Sequence, residues 1–215
     1  MIAALLAVWI FSLVLTWRLF TRARFMPDTA FFGDSITEAW DLPSVNFGIF
    51  GSTTDHMVER FNAVLDGQFT RVVILGGTND ILKGEDLDKT ASNLHEMIEA
   101  AIKARLKLVI VCTVPPIYSN GGKYQSRVDG LNAKIEKDVK DWQASGAQVI
   151  LVDFNKPLRG RPDLYSVDGV HIRPRAYYLL ERELLRKANL FWWQSGHRYP
   201  RPVGAPPPTS PSAYN

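Results

Sequence analysis

Two short stretches of the sequence carry the side chains that nucleophilic acyl transfer requires. The first is Gly33-Asp34-Ser35, which follows two phenylalanines at the end of an apolar run. The second contains Asp168 and His171, three positions apart. A serine hydroxyl is a weak nucleophile and needs a base within hydrogen-bond reach. A carboxylate beside a histidine can hold the imidazole by its second nitrogen and stabilise the imidazolium that forms.

The choice of base rests on where the four histidines lie. His56 and His95 fall within amphipathic stretches, where a structural or surface role is the better interpretation. His197 lies in the C-terminal tail. Only His171 lies in a loop with a carboxylate close by in the sequence, so we expect it to act as the base.

An acyl-transfer site also needs hydrogen-bond donors that point at the oxyanion of the tetrahedral intermediate. The backbone N–H groups of Ser35 and Gly51 and the side-chain amide of Asn79 could supply three. Gly51 has no side chain to block close approach of its backbone, and the Asn79 amide carries two donors and no charge. Each stretch alone is also ordinary turn or helix-cap sequence, so the expectation rests on their occurrence together.

The elements that must position these residues can be predicted from the apolar pattern. Continuous apolar runs alternate with amphipathic stretches of helical spacing, which predicts an α/β fold with a parallel sheet covered on both faces. Ligands of such sheets bind at the carboxyl ends of the strands. The stretches with Ser35, Gly51 and Asn79 follow strands directly, and Asp168 and His171 lie in a late loop after the fifth strand. The expected strands are 30–32, 45–49, 71–76, 107–112 and 148–153, and the expected helices are 55–65, 87–106, 128–142 and 174–188.

With these blocks in this order, the sequence resembles the SGNH hydrolases, also called the GDSL family of esterases and lipases. The blocks are GDSIT with Ser35, NFGIFG with Gly51, GGTND with Asn79, and DGVH with Asp168 and His171. The resemblance implies a flavodoxin-like, three-layer α/β/α sandwich with about five parallel strands. It also implies Ser35 as nucleophile, His171 as base and Asp168 as its orienting group. The oxyanion hole it implies consists of Ser35, Gly51 and Asn79.

The two ends of the chain differ in composition from the middle. Residues 2–20 are almost wholly apolar and about as long as a membrane-spanning helix needs to be. We expect residues 1–25 to be an uncleaved membrane anchor, with a cleaved signal peptide as the next alternative and a buried core helix as the last. Residues 191–215 hold six prolines from Pro200 onward and predict a disordered tail. The hydrolase domain then comprises residues 26–190.

Charge limits the partners of this chain. The formal net charge is +3, but residues 1–25 and 186–215 contain Lys and Arg without any Asp or Glu, so the middle is net acidic. An acidic middle disfavours nucleic acid, whereas basic ends suit a membrane surface. Arg18, Arg22 and Arg24 follow the apolar segment and favour the cytoplasmic face for the domain, with export as the alternative.

The sequence gives no indication of a cofactor or a metal. It contains no HExxH motif, and its single cysteine, Cys112, lies in an apolar run where a buried, unreactive thiol is expected. The acids at the strand ends are not accompanied by a histidine-rich cluster of ligands. A GxSxG nucleophile elbow is also absent from the sequence, so the other common serine-hydrolase plan does not apply.

The substrate is less well defined than the reaction. A small-molecule or lipid ester or thioester is expected, either of lipid type or with a short acyl group such as the acetyl group of a sugar ester. An O-acyltransferase with the same site and a non-catalytic, membrane-tethered binding module are the alternatives. Two loops, 115–127 and 156–167, are expected to line the entrance. Four residues in them could form an apolar acyl wall or act as ordinary loop anchors: Tyr118, Tyr124, Leu164 and Tyr165.

Overall fold

The computed structural model describes residues 28–41 and 44–188, together with positions 9, 10, 12 and 13. Its centre is one sheet of five parallel strands in the order β2-β1-β3-β4-β5. The strands are β1 (Thr29–Gly33), β2 (Val45–Gly48), β3 (Arg71–Leu75), β4 (Leu108–Cys112) and β5 (Val149–Val152). The α/β fold with five parallel strands is therefore confirmed.

Helices cover both faces of this sheet. The longer ones are α2 (Thr54–Arg60), α5 (Leu87–Lys103), α7 (Gln125–Ala144) and α8 (Pro174–Ala188). The short ones are α1 (Ser35–Glu38), α3 (Asn62–Leu65), α4 (Thr78–Lys83) and α6 (Ser119–Gly122). Two 3-10 turns, Lys156–Leu158 and Pro162–Leu164, lie in the loop between β5 and α8.

Side chains that alternate along the strands form two separate hydrophobic clusters. Phe31 points to the face where Trp40 and Leu180 of α8 pack. Its neighbour Phe32 points to the other face, toward Met57 of α2 and the helices α5 and α7. Burying one large apolar side chain contributes about 1.5–3 kcal/mol, so both faces of the sheet stabilise the fold. This burial explains why the strands are continuous apolar runs.

The register of the central strands brings three chain segments to one edge. Gly33 at the end of β1 pairs with Gly48 of β2 on one side and with Leu75 of β3 on the other. The segments that follow these three strands therefore begin at the same level. Because the chain turns to opposite sides of β1, this edge is the topological switch point where ligands of parallel sheets bind.

The predicted helices agree with the structure except in one region. The amphipathic pattern of α8 predicts 174–188, which are its observed limits. The stretch 55–65, in contrast, forms two helices, because the Phe61 N–H bonds to the carbonyl of Val58 and the chain tightens there. Cys112 is buried as expected, and burial raises the pKa of its thiol.

Most of the predicted anchor, 1–25, and the whole predicted tail, 191–215, lie outside the described residues. In the part of the chain that the structure describes, no helix combines the length and the apolar character needed to cross a membrane. The anchor, the tail and the domain limits 26–190 therefore stay predictions.

Candidate active site

The first strand ends abruptly because α1 begins at once and packs against the strand tips. Asp34 caps this helix, since its Oδ1 accepts the Ile36 N–H at 2.9 Å. A Cβ atom at Gly33 would lie 2.4 Å from the carbonyl oxygen of Leu75, so only glycine permits this approach. Ser35 is the first residue of α1 and is 7% exposed at the carboxyl edge of the sheet.

Ser35, His171 and Asp168 form a continuous chain of contacts. The His171 Nε2 atom lies 3.0 Å from the Ser35 Oγ atom. The Nδ1 atom of the same ring lies 2.6 Å from Asp168 Oδ2. Both distances are within hydrogen-bond range. The imidazole is thus held between the hydroxyl and the carboxylate. Ser35 and His171 are 136 positions apart in the sequence.

The loop that carries this pair is held by Asp168 itself. Its Oδ1 accepts the N–H groups of Val170 at 2.9 Å and His171 at 3.0 Å. Partial burial raises the pKa of Asp168, but the hydrogen bonds from His171 and Val170 outweigh it and the net effect is a lowered pKa. The carboxylate is therefore ionised at neutral pH and able to stabilise an imidazolium.

Gly169 connects the loop to the rest of the domain. Its carbonyl accepts the N–H groups of Tyr118 at 2.7 Å and Ser119 at 3.2 Å. Its φ of +68° lies in the left-handed region, and a Cβ atom there would come within 2.5 Å of the Ser119 nitrogen. Glycine at this position is required both by the backbone conformation and by close packing.

Gly51 lies in the turn after β2. Its φ is +72°, which explains the glycine, and the space where a side chain would project is open for 4 Å. Among the described residues, no backbone acceptor takes up its N–H. The N–H of Ser35, at the start of α1, likewise has no backbone acceptor among the described residues. Two backbone donors at this edge are therefore available to a bound group.

Asn79 reaches the Gly51 turn from the start of α4. Its Nδ2 donates to the carbonyl of Ser52 at 2.9 Å, which uses one of its two amide hydrogens. The neighbouring Asp80 is buried and accepts the Thr54 N–H at 3.1 Å and the Thr54 hydroxyl at 2.6 Å. The GGTND block is thereby connected to the start of α2, and Asp80 has a structural role as the acceptor for Thr54.

A partly buried cation, Arg60, and a buried acid, Asp34, lie behind this edge. Burial raises the pKa of Asp34 to about 6, although the Ile36 N–H and the Thr78 hydroxyl oppose the shift. Burial also lowers the pKa of Arg60 to about 10, so its guanidinium stays charged at neutral pH. The sequence pattern gave no reason to single out Arg60, because its partners are backbone carbonyls of distant strands.

The sequence pattern also does not indicate a role for Phe50. Its ring stacks on that of His171, with 5.7 Å between ring centroids and 11° between ring planes. The side chain is 47% exposed, which is unusual for phenylalanine and leaves its outer face open to solvent. Nothing in the sequence brings positions 50 and 171 together, so only the fold reveals this contact.

The four predicted substrate-binding residues are placed as anchors of their loops. Leu164 and Tyr165 are each 2% exposed and belong to the hydrophobic core beneath α8. Tyr118 packs against Tyr165 at 4.8 Å, and its hydroxyl donates to the carbonyl of Leu158. Tyr124 is half-buried at the start of α7. These positions favour the loop-anchor interpretation, and a role in substrate binding stays a prediction.

The other described histidines contact residues other than Ser35 and Asp168. His95 Nδ1 lies 2.7 Å from Asp138, and its ring stacks on Trp142. His56 Nδ1 contacts the Thr53 hydroxyl at 3.3 Å. Within the ranges that the structure describes, no group of three or more His, Cys, Asp or Glu side chains could hold a metal ion.

A parallel sheet with a bonded serine, histidine and aspartate at its carboxyl edge has the geometry that acyl-transfer enzymes use. Residues 31–179 match the model of the GDSL-like lipase/acylhydrolase family. This span is more than half of the chain and includes all five residues of the predicted site, and the chain therefore belongs to that family. Membership supports ester hydrolysis in general.

Solved structures agree with this assignment. A GDSL-like lipase from Bacteroides thetaiotaomicron is 26% identical, with a TM-score of 0.65 over 74% of this chain and 85% of that one. An acetyl-xylooligosaccharide esterase from Geobacillus stearothermophilus, in a mutant form, is 19% identical. It gives a TM-score of 0.64 over 78% of this chain and 96% of that one, which shows the shared fold.

One curated relative is an N-acylneuraminate cytidylyltransferase from Escherichia coli O18:K1:H7, which is 26% identical over 175 residues. The match covers 73% of this chain but only 39% of that protein. The chain thus spans about two fifths of the length of this relative.

Proposed function

We propose that the protein is a serine ester hydrolase that forms an acyl-enzyme on Ser35. The observation that carries the proposal is the continuous contact from Ser35 Oγ through the His171 ring to Asp168, at 3.0 and 2.6 Å. A hydroxyl so placed can lose its proton to the imidazole as it attacks. The carboxylate holds the ring in the tautomer whose Nε2 carries no hydrogen and can accept that proton.

The reaction proceeds through two tetrahedral intermediates. Ser35 Oγ attacks the ester carbonyl carbon while its proton moves to His171 Nε2. The oxyanion receives hydrogen bonds from the N–H groups of Ser35 and Gly51 and from the Asn79 amide. Collapse breaks the bond to the alcohol, which leaves with the proton from His171. Water then loses a proton to His171 and attacks the acyl-enzyme. Collapse of the second intermediate breaks the bond to Ser35 Oγ, which takes the proton back from His171, and the acid is released.

A short acyl group suits this site better than a long one. The loop residues expected to form an apolar acyl wall include Leu164 and Tyr165, whose side chains are buried in the core and have no free surface to offer. The fold shared with an acetyl-xylooligosaccharide esterase supports the same choice. The substrate we propose is a small ester such as an acetylated sugar, and residues 1–25 would hold the enzyme at a membrane.

A series of nitrophenyl esters from acetate to dodecanoate tests the proposal. We expect the highest kcat/KM for acetate or propionate, and Ser35→Ala should lose at least about 10³-fold in kcat because the triad acts as a unit. Ester hydrolysis that is undiminished in Ser35→Ala would refute the mechanism. A maximum at long acyl chains would refute the choice of substrate alone.

A further inference from the structure

One carboxylate connects the nucleophile helix to the turn that carries Gly51. Glu38 is the last residue of α1, and its Oε2 accepts the Phe50 N–H at 2.6 Å. Ser35 is the first residue of the same four-residue helix. A single turn of helix thus carries the hydroxyl at one end and an anchor for the neighbouring turn at the other. The turn is called here the oxyanion loop and comprises residues 49–52.

Arg60 holds the same region from the opposite side. Its guanidinium donates to the carbonyls of Gly33 and Phe47, at 2.6 Å each, and so connects the ends of β1 and β2. It also contacts the Ser52 hydroxyl at 3.4 Å and lies 4.3 Å from the centre of the Phe32 ring. The guanidinium of arginine has a planar, forked geometry that permits this bridging. The ammonium group of lysine lacks that geometry.

We infer that Glu38 and Arg60 are positioning residues that fix the distance between Ser35 Oγ and the Gly51 N–H. The inference rests on the proposed function, in which that N–H binds the oxyanion. Such donors must lie about 2.7–3.1 Å from the oxyanion. A displacement of about 1 Å can cost roughly 10²-fold in rate. Glu38 binds the loop at Phe50 and Arg60 contacts it at Ser52, on either side of Gly51, so together they resist that displacement.

The charge of Glu38 argues for this positioning role. A carboxylate near a developing oxyanion opposes it by Coulomb repulsion, so its charge cannot be what assists the reaction. The Arg60 cation offsets that repulsion. Burial lowers the pKa of Arg60, and attraction to Asp34 and Glu38 opposes that lowering. The hydrogen bond to Phe50 is the contact that positions the oxyanion loop, and a neutral side chain of the same shape could also make it.

Substitutions at Glu38 separate shape from charge. Glu38→Gln keeps an acceptor for the Phe50 N–H, and we expect its kcat within about threefold of the wild type. Glu38→Ala removes the acceptor, and we expect kcat to fall about 10- to 100-fold with KM changed less than threefold. The matched control is Glu59→Ala, an exposed acid on α2, which should leave both constants unchanged. A kcat for Glu38→Ala within twofold of the wild type would overturn the role of Glu38.

Arg60→Lys tests the second positioning residue while the charge is kept. Lysine cannot bridge both carbonyls, so we expect kcat to fall about tenfold with a small change in KM. The melting temperature of each variant, measured by thermal unfolding, shows whether a loss of activity comes from a loss of the fold. If Arg60→Lys melts within a few degrees of the wild type and keeps full kcat, the role of Arg60 is refuted.

Amide hydrogen exchange gives a readout that does not depend on activity. The Phe50 N–H should be protected in the wild type and in Glu38→Gln and should exchange faster in Glu38→Ala. An unprotected Phe50 amide in the wild type would overturn the inference while leaving Ser35-dependent hydrolysis untouched. Protection without any Ser35-dependent hydrolysis would refute the proposed function instead.

Discussion

At the scale of single residues, the side-chain amide of Asn79 has one observed contact and one proposed role. One amide hydrogen is bound to the Ser52 carbonyl, which fixes the side chain, and the other is the hydrogen that the proposed mechanism assigns to the oxyanion. Asn79→Ala should therefore lower kcat by about 10²- to 10³-fold with a smaller change in KM, because the donor acts mainly in the transition state. Steady-state kinetics on nitrophenyl acetate measures both constants. A rise in KM alone would mean that Asn79 binds the substrate.

A second prediction at this scale concerns the buried carboxyl of Asp34. Its pKa is raised from 3.8 to about 6 in the folded protein, chiefly by burial. Between about pH 4 and pH 6 the unfolded chain ionises while the folded one keeps its proton, so this group's contribution to stability declines as the pH rises. The loss is complete above about pH 6 and amounts to roughly 3 kcal/mol.

Asp34→Asn provides the comparison, because asparagine keeps an oxygen for the Ile36 N–H and does not ionise. Urea unfolding of both proteins from pH 4 to pH 7 should show the variant gaining stability relative to the wild type as the pH rises. A difference that stays constant over this range would contradict the raised pKa.

At the scale of elements, α1 depends on the glycine at the end of β2. A Cβ atom at Gly48 would lie 2.1 Å from the backbone nitrogen of Glu38, so Gly48→Ala must push the helix off the sheet. We expect a loss of about 1–3 kcal/mol in the free energy of unfolding, together with reduced kcat, because α1 carries Ser35.

Gly130→Ala is the control for this glycine. Gly130 lies within α7, and an added Cβ atom would meet only Leu87 Cδ1 at 3.5 Å. Alanine there should stabilise the protein by about 0.5–1 kcal/mol through helix propensity. If Gly48→Ala proves equally harmless in urea unfolding, the close packing of α1 on β2 is wrong.

The sequence predicts the longer elements well and the short ones poorly, for physical reasons. Helix α8 and the five strands follow from their apolar periodicity, because each buries one face or both. Helices α1 and α4 span four and six residues, too few to show a period, and the sequence shows them only as turn or cap residues. The five residues of the candidate site could be predicted because their four blocks occur together in one order, although each block alone is ordinary turn or cap sequence.

Contacts between distant segments were beyond the reach of the sequence. Glu38 and Arg60 bond to backbone groups, and a backbone partner leaves no sequence signature. In the sequence, Leu164 and Tyr165 resemble substrate-binding residues of a loop. In the fold, both side chains are buried in the core. Burial of a loop residue depends on which helix packs over the loop, and neither composition nor spacing encodes that.

At the scale of the whole molecule, the described members of both hydrophobic clusters lie within residues 30–188. Removing residues 1–25 should therefore leave a folded domain whose kcat on nitrophenyl acetate is within a few-fold of the intact protein. The full chain should sediment with membranes, because burial of the apolar segment in lipid is strongly favourable. Fractionation and kinetics of both forms test this. Aggregation or loss of activity in the truncated form would mean that the segment packs into the fold.

The central claim, that Ser35 is the nucleophile, is tested most directly by a fluorophosphonate probe. Ser35 Oγ attacks phosphorus, fluoride leaves, and the adduct stays on the serine for location by mass spectrometry. We expect one label per chain on the peptide that contains Ser35. Labelling should be abolished in Ser35→Ala and much slowed in His171→Ala, which lacks the base. A label on another serine, or undiminished labelling of Ser35→Ala, would contradict the claim.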